Sequence, residues 1–281
     1  MQIITDPKEF QSVCWSWRGQ GLTSALVPTM GFLHAGHISL FTWARANAEK
    51  VAASIFVNPT QFGPNEDLDR YPRDPEGDAA KAREAGVDVL FLPEPGAMYP
   101  EGFATTVSVA GLTEGLCGAS RPGHFDGVAT VVAKLLLLAM PTTAVFGQKD
   151  WQQLAVIRRM VRDLDIPVAI EGRPIFRESD GLAMSSRNVY LSPQDRALAP
   201  HVQKGLQAAR AWKAQGVTSA RELTQRLTAY YKDAIPTARP DYVACVHPET
   251  LAPLEDASGP ALMAVALFFP GARLIDNLLL D

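Results

Sequence analysis

Apolar residues fall in short continuous runs at 24–28, 51–57, 87–92, 143–147 and 167–171, and between these runs the apolar positions recur with a helical period near 37–48, 76–85, 127–139 and 150–164. Runs such as Val51-Ala52-Ala53-Ser54-Ile55-Phe56-Val57 carry no in–out alternation, as expected of strands covered on both faces by helices. The alternation predicts an α/β fold: a Rossmann-like, parallel five-stranded sheet with helices on both faces, whose right-handed crossovers bring the strand C-termini to one rim. Three longer connections interrupt the rhythm: proline-rich 58–75, then 93–104 and glycine-rich 111–126. Connections of that length are commonly functional. After Phe176 the pattern changes to helical stretches near 193–214 and 218–234, then strands near 241–247 and 261–268. Two domains are therefore expected, 1–176 and a smaller α+β domain, 177–281.

Composition narrows the function classes. Twenty-six basic against thirty acidic side chains give a formal charge of −4, which argues against a sequence-independent nucleic-acid surface but allows a local cationic pocket. Cys14, Cys117 and Cys245 are odd in number and lack metal spacing, so they read as structural thiols in a reducing, cytoplasmic setting. No apolar run approaches the length of a membrane span and no export signal opens the chain.

Candidate chemistry sits where predicted strands end. Met30-Gly31-Phe32-Leu33-His34-Ala35-Gly36-His37 turns through two glycines from a buried strand into a helix, and a helix start offers unpaired N–H groups to a polyphosphate. Imidazole N–H groups at His34 and His37 can add hydrogen bonds as negative charge develops. A zinc site is the rival, but neither Cys-x-x-Cys nor a third ligand follows. In the next loop, Asn58-Pro59-Thr60-Gln61-Phe62-Gly63-Pro64, Gln61 offers an amide able both to donate and to accept. Arg121 and His124 precede an apolar helix. Gly147-Gln148-Lys149-Asp150 stands at a further strand-to-helix junction with Gln153 one turn on, and Met184-Ser185-Ser186-Arg187 pairs two hydroxyls with a guanidinium suited to phosphate.

Together these five strings resemble the pantoate–β-alanine ligases, within the nucleotidyltransferases that share a His-x-Gly-His turn and a Lys-Met-Ser-Lys-Ser-like loop. The likeness is strongest from Val27 to Pro193 and thins afterwards to fragments such as Arg273-Leu274-Ile275-Asp276-Asn277. It implies condensation of ATP and pantoate to pantoyl adenylate and pyrophosphate, followed by displacement of AMP by β-alanine. It further implies that Met30 to His37, Gly147 to Asp150, Phe176 and Met184 to Arg187 hold ATP, with His34, His37, Lys149 and Arg187 acting on the phosphates, and that Gln61 and Gln153 hold pantoate and β-alanine. Arg121 and His124 order the pantoate-side loop. Magnesium is expected on the phosphates with no direct protein ligand, Asp78 being a candidate outer partner, and the family implies a homodimer. The chain departs from common family forms at Thr60, Gln148 and Trp151. The rival enzyme, one passing AMP to a phosphorylated acceptor, would want cations where Gln61 and Gln153 are neutral. An inactive nucleotide- or RNA-binding module would not need His34, His37, Lys149, Ser185, Ser186 and Arg187 intact.

Overall fold

The computed structural model describes residues 1–64 and 66–280. In chain order the elements up to residue 173 are β1 (Gln2–Ile4), α1 (Pro7–Gly19), β2 (Ser24–Thr29), α2 (Ala35–Asn47), β3 (Lys50–Ile55), α3 (Pro75–Glu84), β4 (Val89–Phe91), α4 (Pro95–Met98), α5 (Leu116–Ser120), α6 (His124–Ala139), β5 (Thr143–Gly147), α7 (Trp151–Asp163) and β6 (Ala169–Arg173). After these come α8 (Pro193–Leu198), α9 (His201–Ala214), α10 (Ala220–Ala234), β7 (Arg239–Val246), β8 (Ala261–Phe268) and β9 (Arg273–Leu280). The chain forms two compact units. The first comprises 1–109, 121–148 and 156–174; the second comprises 110–120, 149–155 and 175–281.

The first unit is an all-parallel sheet in the order β1-β4-β3-β2-β5-β6. The expected α/β class holds, but the sheet has six strands and not five. The added strand, β1, is three residues long with Gln2 and Ile3 exposed and Ile4 buried, too short to show a period. α1 was likewise outside the expected set, because exposed Trp15 interrupts the stripe of buried Phe10, Cys14 and Trp17. Its start is well specified nonetheless: Asp6 accepts from the amides of Lys8 and Glu9, with Pro7 in the first turn. One sheet face packs Val27, Val51, Ala53 and Leu90 against Leu40, Phe41 and Ala82. On α1, Phe10 stacks on Phe91 with ring centroids 4.3 Å apart. Strand order reverses between β2 and β5, so the crevice at their C-terminal ends is where such sheets bind ligands.

The second unit packs α9 and α10 on the antiparallel sheet β7-β8-β9. Two expectations change here. The single helical pattern at 193–214 is broken into α8 and α9 around Pro200, whose ring removes a backbone donor. β9 is an additional strand; Asp276 and Asn277 in its interior disguise it, since both types are depleted in strands.

Candidate active site

The turn after β2 is held in an uncommon backbone conformation. Gly31 lies at φ +83° and Phe32 at φ +50°. A Cβ on residue 31 would come within 2.8 Å of Ile55 Cγ2 and 3.0 Å of an Asp78 carboxylate oxygen, so only glycine fits. Asp78, buried in α3, pays for the left-handed Phe32: its two oxygens accept from Phe32 N at 2.7 Å and Leu33 N at 2.6 Å. Thr29 Oγ1 accepts from Gly31 N at 3.2 Å. The amides of residues 31–33 are engaged inside the protein, so the helix-start donors are those from Ala35 onward. Asp78 is thereby a brace for the turn, each of its oxygens accepting from one amide.

The brace sets His34 as the residue before α2 and His37 one turn in. Their rings stack with centroids 4.0 Å apart and planes at 30°. His34 N–H donates to His37 Nδ1 at 3.3 Å. A nitrogen that accepts carries no proton, so neutral His37 keeps its proton on Nε2, pointing away from its own backbone. The sequence brought these two imidazoles together correctly; the tautomer needed the structure.

Gln61 closes a 3₁₀ turn, Pro59–Gln61, and is buried. Its Oε1 accepts from Asn58 Nδ2 at 3.1 Å, and its Nε2 points at Met30 Sδ, 3.1 Å away. Asn58, also buried, uses every polar valence: Nδ2 also donates to Gly127 O at 3.1 Å, while Oδ1 accepts from Tyr99 Oη at 2.7 Å and Thr60 Oγ1 at 3.0 Å. Burial raises the Tyr99 hydroxyl above its ordinary pKa, keeping it a donor. Thr60, noted above as a departure from the form the resemblance leads one to expect, adds a hydroxyl to the same network. Sequence reasoning missed Asn58; its one signal is a polar residue at the buried end of an apolar run.

The Gln61 backbone is held separately. His124 Nδ1 lies 2.8 Å from Gln61 O and His124 Nε2 lies 2.9 Å from Arg121 Nη1. A carbonyl only accepts and a guanidinium only donates, so this imidazole is neutral with its proton on Nδ1. Arg121 forks onto Glu66 at 2.7 and 2.6 Å and reaches Gln61 O at 3.3 Å. Burial pushes the Glu66 carboxyl up, but Arg121 outweighs it and holds the group below the ordinary carboxylate value. α6 lies so close that a Cβ on Gly127 would sit 2.4 Å from Thr60 O.

Gln148 Nε2 donates to Gly172 O at 3.2 Å, tying the end of β5 to β6 in the first unit. In the second unit, Lys149 is half-buried, Asp150 exposed and Gln153 half-buried. Trp151 Nε1 donates to Pro248 O at 2.8 Å. Gln152, which the sequence reading passed over, is buried and pins the glycine-rich loop: it accepts from Cys117 N and donates to Leu112 O and Gly115 O. Phe176 and Met184 meet across a small hairpin, where Met184 N donates to Phe176 O at 3.0 Å and Glu178 N to Leu182 O at 2.8 Å. Phe176 leaves its ring exposed. The outgoing arm delivers Ser185, whose Oγ accepts from Arg187 N at 3.3 Å and starts a short 3₁₀ turn through Ser186 and Arg187. Among the described residues no cluster of three or more His, Cys, Asp or Glu is placed to hold a metal ion. Among the described residues no helix is long and apolar enough to cross a membrane.

Comparison with known proteins supplies a chemical context for these arrangements. A family model described as pantoate-beta-alanine ligase matches residues 2–279. The chain is 57% identical to a pantothenate synthetase of Oleidesulfovibrio alaskensis over 280 residues, covering the whole of both, and 56% identical to one of Nitratidesulfovibrio vulgaris, covering 100% of this chain and 99% of that one. A crystal structure of pantothenate synthetase from Thermus thermophilus superposes with a TM-score of 0.92 at 52% identity, covering 99% of each chain. A pantoate-beta-alanine ligase from Francisella tularensis, solved with a β,γ-ATP compound and β-alanine, gives 0.81 at 34% identity, covering 99% of this chain and 97% of that one.

Proposed function

We propose how this chain, which belongs to the pantoate–β-alanine ligase family and forms pantothenate from pantoate and β-alanine using ATP, carries out that reaction. In the first step a pantoate carboxylate oxygen attacks the α-phosphorus, the bond from that phosphorus to the α,β-bridging oxygen breaks, and pyrophosphate leaves carrying that oxygen. In the second the β-alanine amine attacks the acyl carbon, the carbon–oxygen bond to AMP breaks, and the nitrogen loses a proton. A carboxylate resists an amine; its mixed anhydride with AMP has a good leaving group.

The observation that carries this reading is the stacked His34–His37 pair at the start of α2, held by the bond from His34 N–H to His37 Nδ1. Attack on phosphorus moves no proton, so these imidazoles act as hydrogen-bond donors to phosphate charge that grows in the transition state. Met30 to Gly36 line the nucleotide with a fixed backbone. Lys149, Ser185, Ser186 and Arg187 bind phosphate oxygens, while Gly147, Gln148, Asp150, Phe176 and Met184 line the nucleotide site. Gln61 Nε2 donates to pantoate, its Oε1 has a second lone pair for the incoming amine, and Gln153 holds pantoate too. Magnesium arrives on the nucleotide's phosphate oxygens as part of the substrate.

The second unit serves as the lid that keeps water from the adenylate. The assembly is a homodimer, tested by sedimentation: a 30.4 kDa particle refutes it. Three buried, free thiols fit a reducing, cytoplasmic setting. Incubation with ATP, magnesium and pantoate alone should release pyrophosphate stoichiometric with enzyme; release that requires β-alanine would overturn the order of steps.

A further inference from the structure

β9 is an eight-residue strand, apolar apart from Arg273 at its start and Asp276 and Asn277 in its interior, both nearly inaccessible. Leu274, Leu278 and Leu280 pack in the core of the second unit, and Asp276 shares their face by the two-residue period of a strand; Asn277 takes the other face. A buried carboxylate there demands compensation, which Arg177 supplies as a fork: Nη1 to Oδ2 at 2.7 Å and Nη2 to Oδ1 at 2.9 Å, with Asn277 N adding 2.8 Å to Oδ1. Apolar side chains of similar volume commonly stabilise as well or better than such a pair. Stability therefore does not explain why this strand carries it.

What the pair holds does. Arg177 Nη1 also donates to Gly181 O at 3.1 Å, and Arg177 bridges Ala183, so the guanidinium locks the hairpin whose outgoing arm continues into Ser185, Ser186 and Arg187. On the opposite face Asn277 Nδ2 donates to Lys149 O at 3.0 Å. Two consecutive residues of one strand thus grip, from its two faces, two separate segments that carry cationic phosphate ligands.

We propose that Asp276 and Asn277 are positioning residues that set Lys149 and the Ser185–Arg187 turn in register with each other for ATP. The inference rests on the assignment of those two segments to ATP. Asn277→Asp is isosteric and removes the donor toward Lys149 O; Arg177→Lys keeps the charge and loses the fork. Each should raise the KM for ATP about tenfold, the worth of one hydrogen bond to a fixed partner, while the KM for pantoate stays at the wild-type value. An unchanged KM for ATP in both, or equal rises for ATP and pantoate, overturns the proposal as mere loosening of the unit. Lys149→Ala, assayed in parallel, separates the two layers. If it weakens ATP use and Asn277→Asp does not, positioning alone fails; if it leaves ATP use intact, the assignment of the segment to ATP fails and the proposal with it.

Discussion

Asp78→Asn is the perturbation that asks most of the turn bearing the two imidazoles. The carboxylate makes two short bonds, 2.7 Å to Phe32 N and 2.6 Å to Leu33 N, in a site only 1% exposed. An amide side chain retains one oxygen and turns an NH₂ toward the other backbone donor, so one bond becomes a donor–donor contact. Hydrogen bonds to a charged group contribute about 1.5–3 kcal/mol each. The left-handed Phe32 they hold costs a further 1 kcal/mol or so, which its relaxation returns. The net expectation is a loss of about 2 kcal/mol in unfolding free energy, read as a lower urea midpoint with an unchanged slope. Asp78→Ala would lose both bonds, about 3–6 kcal/mol, a large part of a typical domain's stability, so the Asn variant is the informative one. Because Phe32 and Leu33 lead directly into His34, turnover should fall further than stability: about tenfold to a hundredfold in kcat at a urea concentration and temperature where the variant is fully folded. Wild-type turnover in a variant destabilised by the expected amount would refute the claim that this carboxylate sets the imidazoles. Wild-type stability would refute the hydrogen-bond accounting itself.

His37→Ala should lower kcat about a hundredfold, as removal of a transition-state donor does, with the urea midpoint nearly retained; unchanged turnover would remove this imidazole from the chemistry. Glu66, held below the ordinary carboxylate value of 4.5 by Arg121, contributes its stabilisation above that value and loses it as pH falls through the lowered one. Glu66→Gln should therefore raise the KM for pantoate about fivefold at neutral pH, on the order of one kcal/mol, and abolish any acid loss of pantoate affinity that this carboxyl causes; steady-state pantoate titrations across pH check both. Gly127→Ala places a Cβ 2.4 Å from Thr60 O, so α6 must back away from the Pro59–Gln61 turn. Chemical denaturation should show a loss of about 1–3 kcal/mol, and pantoate titration a weakened KM with that for ATP retained.

The parts of the fold legible in the sequence are those with long, unbroken patterns. The apolar run at 51–57 and the alternation of runs with helical periods led directly to a parallel sheet, and the glycines around His34 and His37 marked a turn that only a left-handed backbone at Gly31 can make. What stayed hidden has a common cause: residues whose role is set by distant partners. Asp78 lies in α3, far along the chain from the turn whose amides it satisfies. Asn58 was given no role from the sequence, yet its carboxamide is the buried hub that orients Gln61. Asp276 and Asn277 broke the apolar pattern of β9 because they answer Arg177 and Lys149, and no local period reports such a debt across the chain. β1 was lost for the simpler reason that three residues hold no period.

The account turns on an acyl adenylate, and oxygen transfer tests it directly. With pantoate labelled with ¹⁸O in both carboxylate oxygens, one labelled oxygen should pass to phosphorus in the first step and leave with AMP in the second, so mass spectrometry should find one ¹⁸O per AMP and one in the pantothenate amide. Unlabelled AMP, with label instead in pyrophosphate or inorganic phosphate, would contradict it.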